Sequence, residues 1–232
     1  MVLSQKDIHN HLLPGLDDGF QKEESSLAAI AKMASEGCRE LVFTPHMNPD
    51  VYPGVTEEDF RRTYDAFVPK IPAELCVRTQ LGAEYMVVKD FEKRVEAHPE
   101  TLLTFDDNSI LIEMSYYYPS TNLKETIFQL GLAGCHPILA HPERYEYMDR
   151  HQYESLFDAD IEFQLNIPSL AGFYGRGVQE RAEWLLREEF YSMCGTDLHR
   201  KSQLVSLLGA SVRRPCLEKF SESVLEISNK LL

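Results

Sequence analysis

Histidine and carboxylate residues recur at two-residue spacing at two distant places in this chain of 232 residues. His9 and His11 form one pair, and Asp197 and His199 form the other. Residues two apart on a β-strand point to the same side, so each pair could bind one ion together. Mixed imidazole and carboxylate ligands suit manganese, iron or zinc better than a thiolate-preferring site would. The spacing therefore predicts a metal centre.

Further residues of ligand type end or follow short apolar runs elsewhere in the chain. They are His46, Glu84, Glu113 and His141. A single histidine at a strand end is usually a hydrogen-bonded structural residue, and His98, His136 and His151 are interpreted in that way because no partner stands at ligand spacing. Recurrence at nearly every strand end favours a metal centre over a set of structural residues.

The number of candidate ligands bears on the reaction. One hydrolytic zinc usually takes three protein ligands, whereas this set is large enough for two or three ions that share carboxylates. Clustered ions suit phosphoryl transfer, because they generate a hydroxide and neutralise phosphate oxygens. Arg144 follows His141 by three residues, and its planar guanidinium suits bidentate binding of phosphate. A surface ion pair of Arg144 with Glu143 or Glu146 is the alternative.

Short apolar runs that alternate with amphipathic stretches must position these residues. The candidate strands are Asp7–His11, Leu41–Pro45, Val77–Glu84, Ile110–Met114, Pro137–His141, Ile161–Asn166 and Phe190–Gly195. The candidate helices are Glu23–Ser35, Phe60–Val68, Leu123–Leu132, Gln152–Leu156, Val178–Leu186 and Cys216–Leu231. Such alternation is typical of βα units and a parallel sheet.

Seven β units predict a single α/β domain over residues 1–232, in which the carboxyl ends of the strands open onto one face of a small barrel. An open doubly wound sheet is the alternative. It is disfavoured because the chain has neither a Gly-x-Gly-x-x-Gly motif after the first strand nor a phosphate loop.

Composition restricts the partners. The chain has 37 Asp and Glu against 23 Lys and Arg, and its net charge of −14 argues against nucleic acid and against an anionic membrane surface. Neither a signal peptide nor an apolar run long enough to span a membrane is visible. Five scattered cysteines without a C-x-x-C motif fit reduced thiols. We expect a cytoplasmic protein without membrane insertion.

The order of the motifs resembles a known superfamily. The matching segments are Asp7-Ile8-His9-Asn10-His11-Leu12-Leu13-Pro14-Gly15-Leu16-Asp17-Asp18-Gly19, Thr44-Pro45-His46, Gly82-Ala83-Glu84-Tyr85, Leu111-Ile112-Glu113, Ala140-His141-Pro142-Glu143-Arg144-Tyr145, Gln164-Leu165-Asn166 and Asp197-Leu198-His199. Together they resemble the PHP (polymerase and histidinol phosphatase) superfamily. More narrowly, they are similar to the bacterial metal-dependent protein-tyrosine phosphatases of capsule and exopolysaccharide loci. The resemblance spans about residues 7 to 200.

The resemblance implies a distorted TIM-like (β/α)7 barrel of the PHP type with three divalent metal ions, typically manganese. It implies that the first ion is held by His9, His11, Glu84 and Asp197, the second by Glu84, Glu113 and His141, and the third by Asp18, His46 and His199. Asp17 is an alternative to Asp18. A metal-bridging hydroxide would attack phosphorus directly.

The resemblance also assigns residues at the reacting phosphate. Arg144 would grip the phosphate, beside Asp197 and His199. The family commonly places a second phosphate-binding arginine beyond the last ligand motif, whereas here Arg200 and Lys201 follow His199 immediately. Arg200 is our candidate for that role, with Lys201 as the alternative. Aromatic residues after two strand ends, Tyr116-Tyr117-Tyr118-Pro119 and Phe173-Tyr174-Gly175, could line the mouth or pack the barrel top.

The implied substrate is a tyrosine-phosphorylated bacterial protein kinase, or its tail, that controls polysaccharide synthesis. Two alternatives keep the fold: a phosphoesterase for a small monoester such as histidinol phosphate, and a catalytically inactive binding module. A third rests on the segment from Cys194 to Arg200, which fits the C-x5-R spacing of cysteine-dependent phosphatases. Asp197 inside that segment argues against it, because a carboxylate raises the pKa of a neighbouring thiol.

Overall fold

The computed structural model describes residues 4–159, 161–212 and 218–219. The strands in these ranges are β1 (Lys6–Asn10), β2 (Glu40–Phe43), β3 (His46–Met47), β4 (Arg78–Leu81), β5 (Glu84–Met86), β6 (Ser109–Glu113), β7 (His136–Ala140), β8 (Glu162–Asn166) and β9 (Tyr191–Gly195). The α-helices are α1 (Glu23–Ser35), α2 (Glu57–Phe67), α3 (Lys89–Ala97), α4 (Leu123–Leu132), α5 (Arg150–Phe157), α6 (Ile167–Leu170), α7 (Arg176–Arg187) and α8 (Lys201–Gly209).

The strands form two parallel sheets, with the orders β1-β2-β4 and β3-β5-β6-β7-β8-β9. Two passes of the chain each contribute one strand to both sheets. In one pass Thr44-Pro45 separates β2 from β3, and in the other Gly82-Ala83 separates β4 from β5. Backbone hydrogen bonds continue between these breaks, from Gly82 N to Phe43 O (2.9 Å) and from Glu84 N to Pro45 O (3.0 Å). The predicted seven β units are therefore seven parallel passes around a distorted barrel.

The last strand returns to the first at their carboxyl ends. His11 N donates to Leu198 O (3.1 Å), and Asp197 N donates to His9 O (2.8 Å). The buried carboxylate of Asp7 fastens the same junction by accepting from Thr196 N (3.1 Å) and Thr196 Oγ1 (2.6 Å). These bonds bring the two ligand pairs that the sequence indicated to the same end of the barrel.

The apolar core explains why the ligands sit at strand ends. A cluster that contains Ile8, Val42, Leu111 and Ile138 packs between strands of both sheets and is fully or almost fully buried. Leu111 and Glu113 stand two residues apart on β6, so they share a face of the strand. The carboxylate of Glu113 consequently lies beside this buried apolar cluster, towards the carboxyl end of β6.

The helices follow their apolar periodicity and their caps. α1 has the predicted bounds and buries Ile30 and Met33, and α2 and α5 begin in capping boxes at Thr56 and Asp149. α3, α6 and α8 were not predicted. The predicted helix Cys216–Leu231 lies outside the described residues apart from 218–219. Every helix in the described ranges is too short or too polar to cross a bilayer.

Gly195 permits the close approach of β9 to β1. A Cβ atom at this position would stand 2.5 Å from Cβ of His9 and 2.9 Å from its backbone nitrogen. We expect Gly195→Ala to lower the free energy of unfolding by about 1–3 kcal/mol, because overpacking displaces the backbone that carries His9. Denaturant unfolding measures this change.

Gly131→Ala in α4 is the matched control, because no atom of the described residues lies within 4 Å of a Cβ at that position. Alanine should stabilise that helix by up to about 1 kcal/mol. Equal unfolding midpoints for the two variants would show that the contact between β9 and β1 is less tight than described.

Candidate metal centre

The residues predicted as ligands converge at the carboxyl end of the barrel. Some are buried, namely His9, His11, Glu84, Glu113, His141 and Asp197, whereas His46 and His199 are partly exposed and Asp18 is exposed. Asp18, His46, Glu113, Asp197 and His199 line one cavity of about 640 Å³. The structure thus brings together segments that are almost 190 residues apart.

Four ligand-type atoms form the innermost group. Nε2 of His9 and Nε2 of His11 are 3.3 Å apart, and Oε2 of Glu84 lies 3.3 Å and 3.5 Å from them. Oδ1 of Asp197 lies 3.5 Å and 3.4 Å from the same two nitrogens. Ligands at about 2.1 Å from a tetrahedral ion are about 3.4 Å apart. The spacing of this group fits a metal ion at its centre.

The hydrogen-bond partners of the Nδ1 atoms determine which nitrogen of His9 and of His11 carries the proton in the neutral ring. Nδ1 of His9 faces Oε1 of Gln164 (3.0 Å), and Nδ1 of His11 faces Oδ2 of Asp17 (2.7 Å), so each Nδ1 donates. In the neutral form of each ring, Nε2 is then the unprotonated nitrogen that a metal ion can bind. The two Nε2 atoms face each other at 3.3 Å, and a cation between them would make this contact favourable.

Glu84 connects the inner group to two further histidines. Oε1 of Glu84 is 2.9 Å from Nε2 of His141, and Oε2 is 2.9 Å from Nδ1 of His46. Oε2 of Glu84 and Nδ1 of His46 are not aligned for a hydrogen bond, and both are buried without a hydrogen-bond partner among the described residues. Oε1 of Glu113 lies 3.2 Å from Nδ1 of His46. His46, Glu84 and Glu113 therefore form a group able to hold a cation, in which Glu113 faces His46.

The outermost group distinguishes Asp17 from Asp18. Oδ1 of Asp18 lies 3.6 Å from Nε2 of His46 and 3.5 Å from Nε2 of His199. The oxygens of Asp17 instead accept from Nδ1 of His11 and from the backbone nitrogens of Gly19 (2.9 Å) and His46 (3.0 Å). Asp18 is thus the carboxylate that faces the imidazoles, while Asp17 orients the ring of His11.

The electrostatic field of the group favours positive charge. Burial alone would lower the pKa of His46, but the carboxylates of Glu84 and Glu113 raise it to about 10. The pKa values of His9 and His11 are likewise raised against burial, by Glu84 and Asp197 for His9 and chiefly by Asp17 for His11. His141 differs, because burial and the nearby Arg144 lower its pKa to about 4.

Two of these residues have strained backbones. His141 has φ 35° and Asp197 has φ 49°, in the left-handed region that residues other than glycine rarely adopt. Hydrogen bonds hold both in place: His141 N donates to Oε1 of Gln164 (3.0 Å), and Asp197 N donates to the carbonyl of His9. Strain of this kind clusters at functional sites.

Gln164 orients two histidines, because its Oε1 faces Nδ1 of His9 and accepts from His141 N. The sequence alone did not indicate this role, although the segment Gln164-Leu165-Asn166 was among the matching motifs.

Arg144 lies at the wall of the same cavity. Its Nη1 donates to Oδ2 of Asp197 at 2.7 Å, and its Cζ lies 4.4 Å from the ring of Tyr116 and 4.3 Å from that of Tyr174. The alternative of a surface ion pair with Glu143 or Glu146 is wrong, because the carboxylate partner of Arg144 among the described residues is Asp197. The carboxylate of Glu143 is buried and accepts from Asn166 N and Tyr191 Oη.

Among the aromatic candidates, Tyr116, Phe173 and Tyr174 line the cavity, whereas Tyr117 and Tyr118 point to solvent. Arg200 lines it as well, and we find no hydrogen bond or ion pair of its guanidinium within the described residues. Its predicted contact with phosphate stays a prediction.

The sequence profile described as "Capsular polysaccharide synthesis, CpsB/CapC" matches residues 5–224. The chain belongs to this CpsB/CapC family. The tyrosine-protein phosphatase YwqE of Bacillus subtilis is 26% identical over 200 residues, which are 83% of this chain and 76% of YwqE. The tyrosine-protein phosphatase CpsB of Streptococcus pneumoniae is 24% identical over 203 residues, which are 83% of this chain and 82% of CpsB.

A solved structure extends the likeness to three dimensions. It belongs to a study of YwqE from Bacillus subtilis and CpsB from Streptococcus pneumoniae, described as unique metal-dependent tyrosine phosphatases. It superposes with a TM-score of 0.77 at 22% identity and covers 97% of this chain and 94% of the solved one. The match confirms the predicted fold, and the family match confirms the resemblance on which it was based.

Cys194 does not have the environment of a nucleophile in this CpsB/CapC chain. Its thiol is buried, and burial raises its pKa to about 12, so the thiolate is scarce at neutral pH. It does not line the cavity that holds Arg144 and His199. The C-x5-R segment therefore lacks the activated thiolate that a cysteine-dependent mechanism needs.

Asp17→Asn tests the orienting role of Asp17. Its carboxylate accepts three hydrogen bonds, and an amide can accept fewer while presenting an NH2 group to one of the donors. We expect the affinity for Mn²⁺ to fall about 10- to 100-fold, as it does when partners of metal-bound histidines are removed. Calorimetric titration measures this affinity. Asp158→Asn, at an exposed position, is the control, and equal affinities in both variants would contradict the assignment.

Cys194→Ser tests the thiol. The variant should keep its phosphatase rate within about twofold, because a buried thiol with a raised pKa supplies no thiolate. Exposed Cys76→Ser serves as the matched control. Steady-state kinetics on a phosphate monoester measures the rate. A folded Cys194→Ser protein without activity, beside an active Cys76→Ser protein, would restore the cysteine mechanism.

Proposed function

We propose that this chain is a metal-dependent protein-tyrosine phosphatase that hydrolyses phosphotyrosine on proteins of capsule or exopolysaccharide synthesis. The observation that carries the proposal is the pair of Nε2 atoms of His9 and His11, which face each other and two carboxylates at 3.3–3.5 Å. Membership of the CpsB/CapC family and the names of its relatives support it.

We assign three divalent cations to the ligand set, with manganese as the preferred metal. The inner position comprises His9, His11, Glu84 and Asp197, the second Glu84, Glu113 and His141, and the outer one Asp18, His46 and His199. The proximity of Glu113 to His46 supports a close spacing of the second and outer positions. Bound there, the cations would acidify a water molecule and neutralise phosphate oxygens.

The protein itself would position the substrate. Arg144 presents a guanidinium that two tyrosine rings and Asp197 hold in place, which limits the entropy lost when it binds phosphate. Arg200 at the start of α8 would supply a second cation to the phosphate. Tyr116 and Phe173 on the cavity wall would contact the phenyl ring and exclude water from the phosphoester.

The proposed partner is a tyrosine-phosphorylated bacterial protein kinase or its tail, met in the cytoplasm by a single catalytic domain over residues 1–232. The relative from Streptococcus pneumoniae named as a tyrosine-protein phosphatase supports a protein substrate. A cavity that opens to the surface supports it too, because a phosphotyrosine side chain can enter while its peptide stays outside. Hydrolysis of a small monoester such as histidinol phosphate is the second candidate function, and it fits the same ligand set.

The deciding experiment compares substrates and metals. We expect chelation to abolish hydrolysis of p-nitrophenyl phosphate and added Mn²⁺ to restore it, because the ligand set holds the cations that the reaction needs. We also expect kcat/KM to be at least about tenfold higher for a phosphotyrosine peptide than for histidinol phosphate. Metal analysis of the purified protein accompanies the kinetics.

Arg144→Lys keeps the positive charge and loses the planar fork. It should lower kcat/KM on phosphotyrosine about 100-fold and leave the Mn²⁺ content unchanged.

In the comparison of substrates, a faster rate on histidinol phosphate than on the peptide would favour the small-molecule alternative. A manganese-loaded protein inert on every phosphoester would leave only a binding module.

A further inference from the structure

A second cavity opens beside the candidate metal centre. Its volume is about 490 Å³, and its walls include Met114, Leu123, Tyr147, Met148 and Ser155. The cavity lies at the amino-terminal ends of α4 and α5, after the carboxyl ends of β6 and β7. In a βα barrel these positions belong to the face onto which the strand ends open. The second cavity and the metal centre therefore share one face of the molecule.

The two cavities are joined by tyrosine rings. Tyr116 lines the cavity of the metal centre and Tyr147 lines the second one, and the buried ring of Tyr145 stacks between them. Each step of this stack is 5.9 Å between ring centroids. Since an extended peptide advances about 3.3 Å per residue, the two steps together span at most about three or four residues.

The ridge between the cavities presents aromatic side chains to solvent. Tyr117 is 88% exposed and Tyr118 is 67% exposed, and both follow Tyr116 directly. Exposed aromatic residues beside a concave site are typical of a surface that contacts a partner. Tyr116 lines the cavity of the metal centre and Pro119 lines the second cavity, so Tyr117 and Tyr118 stand between the two cavities along the chain.

We propose that the second cavity binds an apolar side chain of the substrate polypeptide, within about four residues of the phosphotyrosine held at the metal centre. This inference rests on the proposed function. The occupant is apolar because Met114, Leu123, Met148 and Leu156 supply much of the wall. Polar groups on the wall pair with one another: Lys124 Nζ donates to Ser155 Oγ (2.7 Å), and the side chains of Asp149 and Gln152 accept from each other's backbone nitrogens (2.8 Å and 2.9 Å).

The test uses phosphotyrosine peptides of equal length. One series carries leucine at the third or fourth position on either side of the phosphotyrosine, and the reference peptide carries alanine at all of these positions. Leucine on one side should raise kcat/KM about tenfold over the reference, through a lower KM, because the cavity buries its side chain. Free phosphotyrosine is hydrolysed at the metal centre without using the second cavity.

Two variants place a large side chain at the wall of the second cavity. Ser155→Phe on α5 and Thr121→Trp at an exposed position should each remove the leucine preference and leave the rate on free phosphotyrosine unchanged. The matched control is Glu154→Phe, at an exposed position of α5 outside the cavity lining, and it should keep the preference.

The outcomes distinguish a failure of the second cavity as a subsite from a failure of the proposed function. Wild-type protein that hydrolyses phosphotyrosine with no leucine preference on either side would overturn the second cavity as a subsite. The same conclusion would follow if both filled variants kept the preference. Protein that is inert on free phosphotyrosine and on all peptides would overturn the proposed function itself. Because Thr121 is exposed, its variant keeps the test valid if Ser155→Phe does not fold.

Discussion

The structure depends on a buried carboxylate surrounded by imidazoles. Glu84 has no solvent-exposed surface, and its two oxygens lie within 3.5 Å of nitrogen atoms of His9, His11, His46 and His141. Burial raises the pKa of this carboxyl, yet His9 and His46 bring it well below its ordinary value, so Glu84 stays charged. An uncompensated buried charge costs several kcal/mol. Cations at the centre of the group would compensate it, so the ligands that serve the chemistry would also couple metal binding to folding.

The distortion of the barrel and the geometry of the ligands have the same origin. Pro45 lacks an N–H and stands between β2 and β3, while Gly82-Ala83 stands between β4 and β5. Both breaks occur at the same level, so His46 at the start of β3 pairs in register with Glu84 at the start of β5. A regular pair of strands would have continued past this level. The interruptions instead start two new short strands with a ligand at the first position of each.

Sequence reasoning found the strands and most candidate ligands because apolar runs and ligand-type residues both leave a local signal. It could not separate Asp17 from Asp18, since their roles depend on hydrogen bonds to His11, Gly19 and His46 that only the folded turn creates. The orienting role of Gln164 was missed because a neutral amide in an apolar strand looks the same whether it faces a ligand or the core. The contact between Glu113 and His46 depends on strand register across the breaks, which no local pattern encodes.

The burial of the ligand-type side chains decreases from the inside of the barrel towards the solvent. The side chains of His9, His11 and Glu84 are fully buried, those of His46 and His199 are 18% exposed, and that of Asp18 is 55% exposed. Electrostatic interactions strengthen as water is excluded, so the inner position would hold a cation more firmly than the outer one. The residues of the proposed outer position, His46, His199 and Asp18, line the open cavity, where an incoming phosphate would reach them. The same gradient that buries the inner ligands thus leaves the outer ones the most accessible of the set.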